Sequence, residues 1–316
     1  MRLGASSQSR PISRRASDAL SETLNVASER EAAKRSIMTH EPRTWLITGC
    51  SSGLGAALAE AALTRGDRVM LTARRPETLT GLVDQFPKTA HAVMLDVTDP
   101  SSVECAIAAT EEAFGALDVF VNNAGFGVIG AIEEVSPEEY RRMFETNVFG
   151  LIEATRAALP ALRRSRGTII NLSSGSGIAT RAGFGLYSAT KFAVEAISEA
   201  LAQEAKPFGV RVLIVELGQF RTEFLGRSMT IAEARMPIYD DTAAGMRDMS
   251  ASMSGRQAGD PAKAARVIIE AVDDPEAPLR LPLGPDAHRN IEAKLASVAR
   301  DLDAWRDRNA ATGFDA

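Results

Sequence analysis

"TWLITGCSSGLGAALAEAAL" (residues 44–63) opens with a run of strand-forming residues, turns through Gly49, Gly53 and Gly55, and continues as an alanine- and leucine-rich stretch. A strand that feeds a glycine turn and then a helix leaves the first N–H groups of that helix unpaired beyond the strand end. The helix dipole favours negative charge at the same place. The glycine spacing is G-x-x-x-G-x-G rather than G-x-G-x-x-G. The loop by itself therefore leaves two readings open: a phosphate cradle, or a turn that needs glycine for steric reasons alone.

The same alternation continues downstream. Strands are predicted at "TWLIT" (44–48), "RVMLT" (68–72), "HAVML" (91–95), "DVFVN" (118–122), "GTIINL" (167–172), "VRVLIV" (210–215) and "PLRLPLG" (278–284). Helical patterns lie between them near 53–65, 76–85, 100–114, 137–163, 184–206 and 260–272. Pro137 and Pro261 follow Ser136 and Asp260, the cap-then-proline chemistry of a helix start, and Gly66 stands where a helix would end. Strands apolar on both faces and separated by helices specify a parallel sheet covered on each side, an α/β fold in one domain over 41–284. After it, Ile291, Leu295, Val298, Leu302 and Trp305 recur at spacings of three and four, so 285–309 reads as an amphipathic helix within a C-terminal segment, 285–316.

Residues 1–40 hold eight Ser and few bulky apolar residues, a composition that cannot bury enough surface to order itself. Asp18, Glu22, Glu29 and Glu31 argue against a transit peptide, so the segment is expected to be a disordered tail, or a misassigned start ahead of Met38. Over the whole chain, 45% hydrophobic and 24% charged residues are ordinary for a globular protein. A net charge of -5 gives no concentrated basic surface for nucleic acid or anionic lipid, which leaves small molecules as the expected partners. Cys50 and Cys105 stand far apart with no His or Cys at metal-ligand spacing, as expected of free thiols in a reducing cytoplasm. The uncharged runs are shorter than the ~20 apolar residues of a membrane span.

The second strand ends "LTARRPE". A site for NAD places an acid here to hold the ribose 2′-hydroxyl, whereas a site for NADP needs a cation for the 2′-phosphate. Ala73 occupies the acid's place and Arg74 and Arg75 follow, each with a planar fork matched to phosphate oxygens. NADP is therefore expected over NAD, the other reading being two arginines that face solvent.

Further motifs fall at predicted strand ends, where open parallel sheets bind ligands: "LDV" (95–97), "NNAG" (122–125), "NLSSGSG" (171–177) and "ELGQFRT" (216–222). "YSATK" (187–191) follows the fifth strand. Tyr187 and Lys191 are one helical turn apart and share a face. A free phenol and a free ammonium titrate near ~10 and ~10.4, but an adjacent ammonium favours phenolate and draws the phenol toward neutrality, where it can exchange a proton with a carbonyl oxygen.

In order and spacing, "TGCSSGLG", "NNAG", Asn147 in "NVFG", Ser174 and "YSATK" resemble the short-chain dehydrogenase/reductase family from about Thr44 to Gly284. The resemblance implies a Rossmann-type, doubly wound, seven-stranded parallel sheet, hydride transfer with a nicotinamide coenzyme, and a homodimer or homotetramer. It implies Tyr187 as the acid/base, Lys191 holding the nicotinamide ribose, Ser174 donating to the substrate oxygen, and Asn147 supporting a proton-relay water. It places Gly49, Ser51, Ser52, Gly53, Leu54 and Gly55 around the coenzyme. Arg74 joins them, with Asp96 and Val97 at the adenine, and Asn123, Ala124 and Gly125 near the ribose. Gly218, Phe220 and Thr222 lie toward the carboxamide. Singly, Ser174 could be a turn residue and Asn147 a satisfied buried amide.

One departure stands out, since the family has Pro-Gly where this chain has Leu217-Gly218, and losing the proline leaves that turn less rigid. By the same resemblance, 223–259 is the substrate lid, and it carries Met229, Met236, Met246, Met249 and Met253. Flexible thioethers suit a bulky apolar ligand or the lid's own small core. With Phe126, Phe184 and Phe224 near the cleft, the expected substrate is a hydrophobic ketone, aldehyde or alcohol. The rivals are a β-ketoacyl-thioester reductase, a sugar-nucleotide epimerase or dehydratase (whose glycine loop is usually G-x-x-G-x-x-G), and a coenzyme-binding regulatory protein without turnover.

Overall fold

Strand β1 (Thr44–Ile47) is buried on both faces, and its side chains divide by parity: Trp45 and Ile47 enter one core, Leu46 the other. That period of two is the geometry of a pleated strand covered from both sides. The computed structural model describes residues 41–314, so the expected tail over 1–40 lies outside the described residues. Arg43–Ala316 form one compact unit.

After β1 come helix α1 (Gly53–Thr64), β2 (Arg68–Ala73), α2 (Thr80–Gln85), β3 (Ala90–Met94), α3 (Pro100–Phe114), β4 (Val119–Asn122) and the short β5 (Gly127–Ile129). Helices α4 (Pro137–Phe144) and α5 (Gly150–Ser165) precede β6 (Thr168–Ser174), α6 (Gly185–Ala205), β7 (Arg211–Leu217) and the short β8 (Met229–Ile231). The chain closes with α7 (Ala244–Met253), α8 (Pro261–Asp273), β9 (Arg280–Leu283), α9 (Pro285–Ala304) and α10 (Arg306–Ala310).

The seven long strands are all parallel, in the order β3-β2-β1-β4-β6-β7-β9. One face packs on α1 and α8, through Leu54, Leu58, Ala265 and Ile268; the other packs on α3, α5 and α6, through Ile107, Ala158, Leu162 and Leu201. This is the expected doubly wound sheet, and its strand order reverses between β1 and β4, where such folds open a crevice at the carboxyl ends.

The stretch read as one helix over 137–163 is two. Ser136 and Glu139 form a reciprocal capping box at its start, and between α4 and α5 the backbone widens into a π-helical segment, Glu145–Phe149, that carries Asn147. A second, two-stranded parallel sheet, β5 with β8, was not legible because each strand has only three residues. A Cβ on Gly127 would meet Met229 at 2.6 Å and the Tyr187 ring at 2.9 Å, so this glycine lets the 223–259 segment close onto α6. In the last segment, Leu295, Val298, Leu302 and Trp305 are exposed along α9 and at its end. No helix among the described residues is long and apolar enough to cross a membrane.

Candidate active site

A cleft of about 760 Å³ opens at the carboxyl ends of β1, β2, β4, β6 and β7, within the size range of small-molecule sites. Its floor is built from the glycine loop. Gly49 and Gly53 have φ of +76° and +64°, conformations that exclude most side chains. Thr48 receives the N–H groups of Asn123 and Ala124 on its hydroxyl at 2.9 and 3.0 Å. The Asn123 amide donates back to the Thr48 and Gly49 carbonyls at 2.7 and 2.9 Å. Asn123 thus clamps the loop to the end of β4. Gly55 lies beneath that clamp: a Cβ there would come within 2.5 Å of Asn123 Nδ2 and 2.6 Å of the Gly49 carbonyl.

Gly49, Ser51, Ser52, Gly53 and Leu54 line the cleft, and Ser52 makes no side-chain cap bond at the start of α1. The first-turn amides are therefore left for a ligand, the chemistry a coenzyme pyrophosphate requires. Arg74 lines the cleft at the end of β2, exposed and with no ion-pair partner among the described residues. Asp96 spends one carboxylate oxygen on the Thr98 amide and hydroxyl, at 3.0 and 2.8 Å, and lines the cleft beside Val97. Ala124, Gly125, Gly218, Phe220 and Thr222 complete the lining from the remaining strand ends. Thr222 reaches the glycine loop, 3.5 Å from a Cβ built on Gly53.

The missing proline at Leu217-Gly218 has a replacement. Gly218 N–H donates to the Leu283 carbonyl at 2.9 Å, and Asp286, in the first turn of α9, accepts the Gln219 N–H at 2.9 Å. Hydrogen bonds from β9 and α9 hold the turn that a ring would otherwise stiffen. No sequence pattern announced Asp286 in this role, because the contact spans 67 residues.

Tyr187 and Lys191 are buried on one face of α6, with Lys191 Nζ 5.9 Å from the centre of the Tyr187 ring. Nζ donates to the Leu172 carbonyl at 2.7 Å. Burial lowers the Lys191 pKa to about 8, with the Glu195 carboxylate pulling the other way. Burial pushes the Tyr187 phenol up, opposed by the neighbouring Ser174 hydroxyl. This differs in sign from the expectation of a phenol drawn toward neutrality, because the ring is packed among Phe184, Phe224 and Met229 and the lysine's strongest contact is a carbonyl. Such a phenol keeps its proton at neutral pH.

Ser174 lines the cleft; its hydroxyl donates to the Leu217 carbonyl at 3.2 Å and accepts the Ser176 N–H at 3.1 Å. Asn147 and Gly55 do not line the cleft. The Asn147 side chain accepts the Phe126 N–H at 3.0 Å and donates to the Phe126 carbonyl at 2.7 Å and the Thr190 hydroxyl at 3.1 Å. Asn147 Oδ1 and Lys191 Nζ both come within 4 Å of a Cβ placed on Gly125.

The outer wall is apolar. Phe126, Phe184, Phe224, Leu225, Met246 and Met249 line it, while Met229 and Met246 are buried in one cluster with Tyr187. The methionines thus do both jobs: core of the segment and wall of the cleft. Sequence reasoning missed three cleft arginines, Arg142, Arg181 and Arg227, all exposed and without ion-pair partners among the described residues. They come from three separate elements, so no local motif links them.

Residues 43–230 match the family model for short chain dehydrogenases. The chain is 36% identical to "Oxidoreductase BOA17" of Botryotinia fuckeliana over 85% of this chain and 99% of that protein. It is 37% identical to an "NADPH-dependent 3-dehydrocapnine reductase" of Ornithobacterium rhinotracheale over 58% of this chain and 67% of the relative. A short-chain dehydrogenase structure from Streptomyces avermitilis superposes with a TM-score of 0.81 at 43% identity, covering 87% of this chain and all of that one. The chain therefore belongs to the short-chain dehydrogenase family, oxidoreductases that use nicotinamide coenzymes.

Proposed function

We propose that the protein is an NADP(H)-dependent oxidoreductase that interconverts a hydrophobic ketone or aldehyde and its alcohol. The observation that carries this is the burial of the Tyr187 phenol between Ser174 and Lys191 at the mouth of an apolar, phenylalanine- and methionine-lined cleft. The coenzyme supplies or accepts the hydride. In the reducing direction Tyr187 delivers its proton to the carbonyl oxygen as negative charge grows there. Ser174 turns its hydroxyl from the Leu217 carbonyl to that oxygen, and the Lys191 ammonium stabilises the phenolate left behind. Asn147 holds the backbone at Phe126 and shares a surrounding with Nζ in which a relay water can return the proton.

The preference for NADP rests on Arg74, without an ion-pair partner among the described residues and next to Ala73, which stands where an acid would repel a 2′-phosphate. Residues 223–259 act as the substrate lid, since β8 and Met229 tie this segment directly to the Tyr187 ring. The active form is a homodimer or homotetramer, the family's habit.

A second reading, reduction of a β-ketoacyl thioester, is favoured by the cleft arginines Arg142, Arg181 and Arg227, which fit the phosphates of a thioester carrier. A screen of carbonyls and alcohols with NADPH and NADP, alongside Tyr187→Phe, tests the main reading. Turnover of free hydrophobic ketones that disappears in the variant supports it, and full activity of the variant rejects it. Turnover confined to acyl-carrier thioesters selects the second reading.

A further inference from the structure

Beside the site, next to Ser173 of β6, two buried carboxylates share one guanidinium. Glu195 lies on α6, one turn beyond Lys191, and is 5% exposed; Glu216 on β7 is 1% exposed. In the sheet register Glu216 pairs with Ser173, and Leu217, whose carbonyl takes the Ser174 hydroxyl, is the next residue. Arg280 on β9 lies between them, 3.3 Å from Glu195 and 3.2 Å from Glu216, and is shared with Glu199 at 2.7 Å. None of the four carboxylate oxygens of Glu195 and Glu216, nor the Ser173 hydroxyl, has a hydrogen bond of good geometry among the described residues.

Buried charges are costly unless paired and hydrogen-bonded, and a protein retains such a group where it does something. Here two buried carboxylates and an exposed one meet a single guanidinium, so negative charge is left over. The groups facing Glu195 are Lys191 and Glu199 on its own helix, Ser173 on β6, Glu216 on β7 and Arg280 on β9. Lys191 is the cation among them that touches the reaction.

We infer that Glu195 is a positioning residue for the catalytic lysine: its carboxylate, held by Arg280 one helical turn behind Lys191, keeps the buried ammonium charged while Tyr187 gives up its proton. This rests on the acid/base reading of Tyr187 and Lys191. Burial alone drives the lysine toward its neutral form, and Glu195 opposes that. Glu216 has a different part. Burial raises the pKa of both carboxylates, that of Glu216 to about 7 with the Glu195 charge adding to it, and the carboxylate that acts on the Lys191 ammonium is that of Glu195.

The sign follows directly. Carbonyl reduction that needs the ammonium is lost as pH rises through the lysine's pKa of about 8. Removing the Glu195 charge lowers that pKa and brings the loss to lower pH.

The experiment compares the wild type, Glu195→Gln, Glu195→Asp and Glu216→Gln in two readouts: the pH profile of kcat with a turned-over ketone, and the NMR titration of the Lys191 side chain. In Glu195→Gln both midpoints should fall by about one pH unit, as expected for loss of a nearby opposite charge. Coenzyme Kd at pH 6.5, where the lysine stays charged, should hold within twofold. Glu195→Asp should restore most of the shift, and Glu216→Gln should leave the midpoint in place. An unmoved Lys191 titration in Glu195→Gln overturns the inference, as do equal shifts in Glu195→Gln and Glu216→Gln. If Glu195→Gln does not fold, Glu195→Met, which keeps the length of the side chain without its charge, is judged by the same criterion. The NMR titration needs no substrate, so failure to find any turnover would count against the proposed activity and leave this inference separately tested.

Discussion

The two walls of the cleft are made in different ways. The sheet-side wall is the ends of β1, β2, β4 and β7, where Gly55 is pressed against the Asn123 amide and the Gly49 carbonyl. The other wall is 223–259 with β5, where methionines and phenylalanines fill space and α7 contains a glycine, Gly245, with nothing within 4 Å of its Cβ position. The first is fixed by hydrogen bonds such as those from Asn123, the second by apolar contact together with the buried Arg247–Glu134 ion pair that anchors α7. Hydrogen-bonded geometry tolerates little change in shape, whereas thioether and ring contacts can repack. One wall therefore suits a ligand of constant shape and the other a ligand that varies.

Tyr187 stands where the walls meet, since its ring belongs to the apolar cluster and its helix carries Lys191 against the sheet. The largest expected effect comes from breaking the chemistry there without disturbing either wall. Tyr187→Phe keeps the ring and its packing, so coenzyme Kd should change less than twofold in a fluorescence titration. Its kcat for reduction should fall by about 10²- to 10⁴-fold with loss of the proton donor. Equal losses in binding and turnover would mean that the phenol is a structural part of the coenzyme wall.

Next in size is a direct attack on the crowded wall. Gly55→Ala places a methyl 2.5 Å from Asn123 Nδ2 and 2.6 Å from the Gly49 carbonyl, so the clamp must shift. The expected cost is about 1–3 kcal/mol in thermal or urea unfolding, as for other overpacked sites, with coenzyme affinity reduced at least tenfold. Unchanged coenzyme binding would show that the loop can relax.

How much of this was legible follows the same division. The sheet wall is written in contiguous residues. "TGCSSGLG", "NNAG" and "YSATK" each carry their geometry locally, and the seven long strands fall within a few residues of their expected positions. The other wall is written in contacts across the chain. β5 and β8 pair over about a hundred residues with three residues each, below the length at which alternation can be seen. The π-helical turn at Asn147 was invisible because one widened turn inside a helical run leaves no residue pattern of its own. Glu195 carries no local motif and Glu216 only opens the strand-end stretch "ELGQFRT", and only the β6–β7 register and Arg280 from β9 bring them together.

A smaller effect is expected where the sheet wall is open. Arg74 is exposed, so Arg74→Ala should leave stability untouched and raise KM for NADPH about tenfold or more, with KM for NADH little changed; steady-state kinetics with both coenzymes measures this. A variant that keeps its full preference for NADPH would assign the 2′-phosphate to another cation.

The smallest effect probes the roomy wall. Gly245 sits near the start of α7 with a clear Cβ position and an ordinary helical backbone, so Gly245→Ala removes unfolded-chain entropy without a clash. It should raise unfolding stability by about 0.4–1 kcal/mol. Coenzyme Kd should not move, because no sheet-wall contact runs through Gly245. The informative readout is the substrate. Met246 follows Gly245 and lines the cleft, so stiffening the start of α7 should narrow the range of ketones accepted, raising KM for the bulkiest severalfold and leaving small ones unaffected. If stability rises while KM for every ketone stays the same, the adaptability of this wall lies in its side chains and not in the backbone of α7.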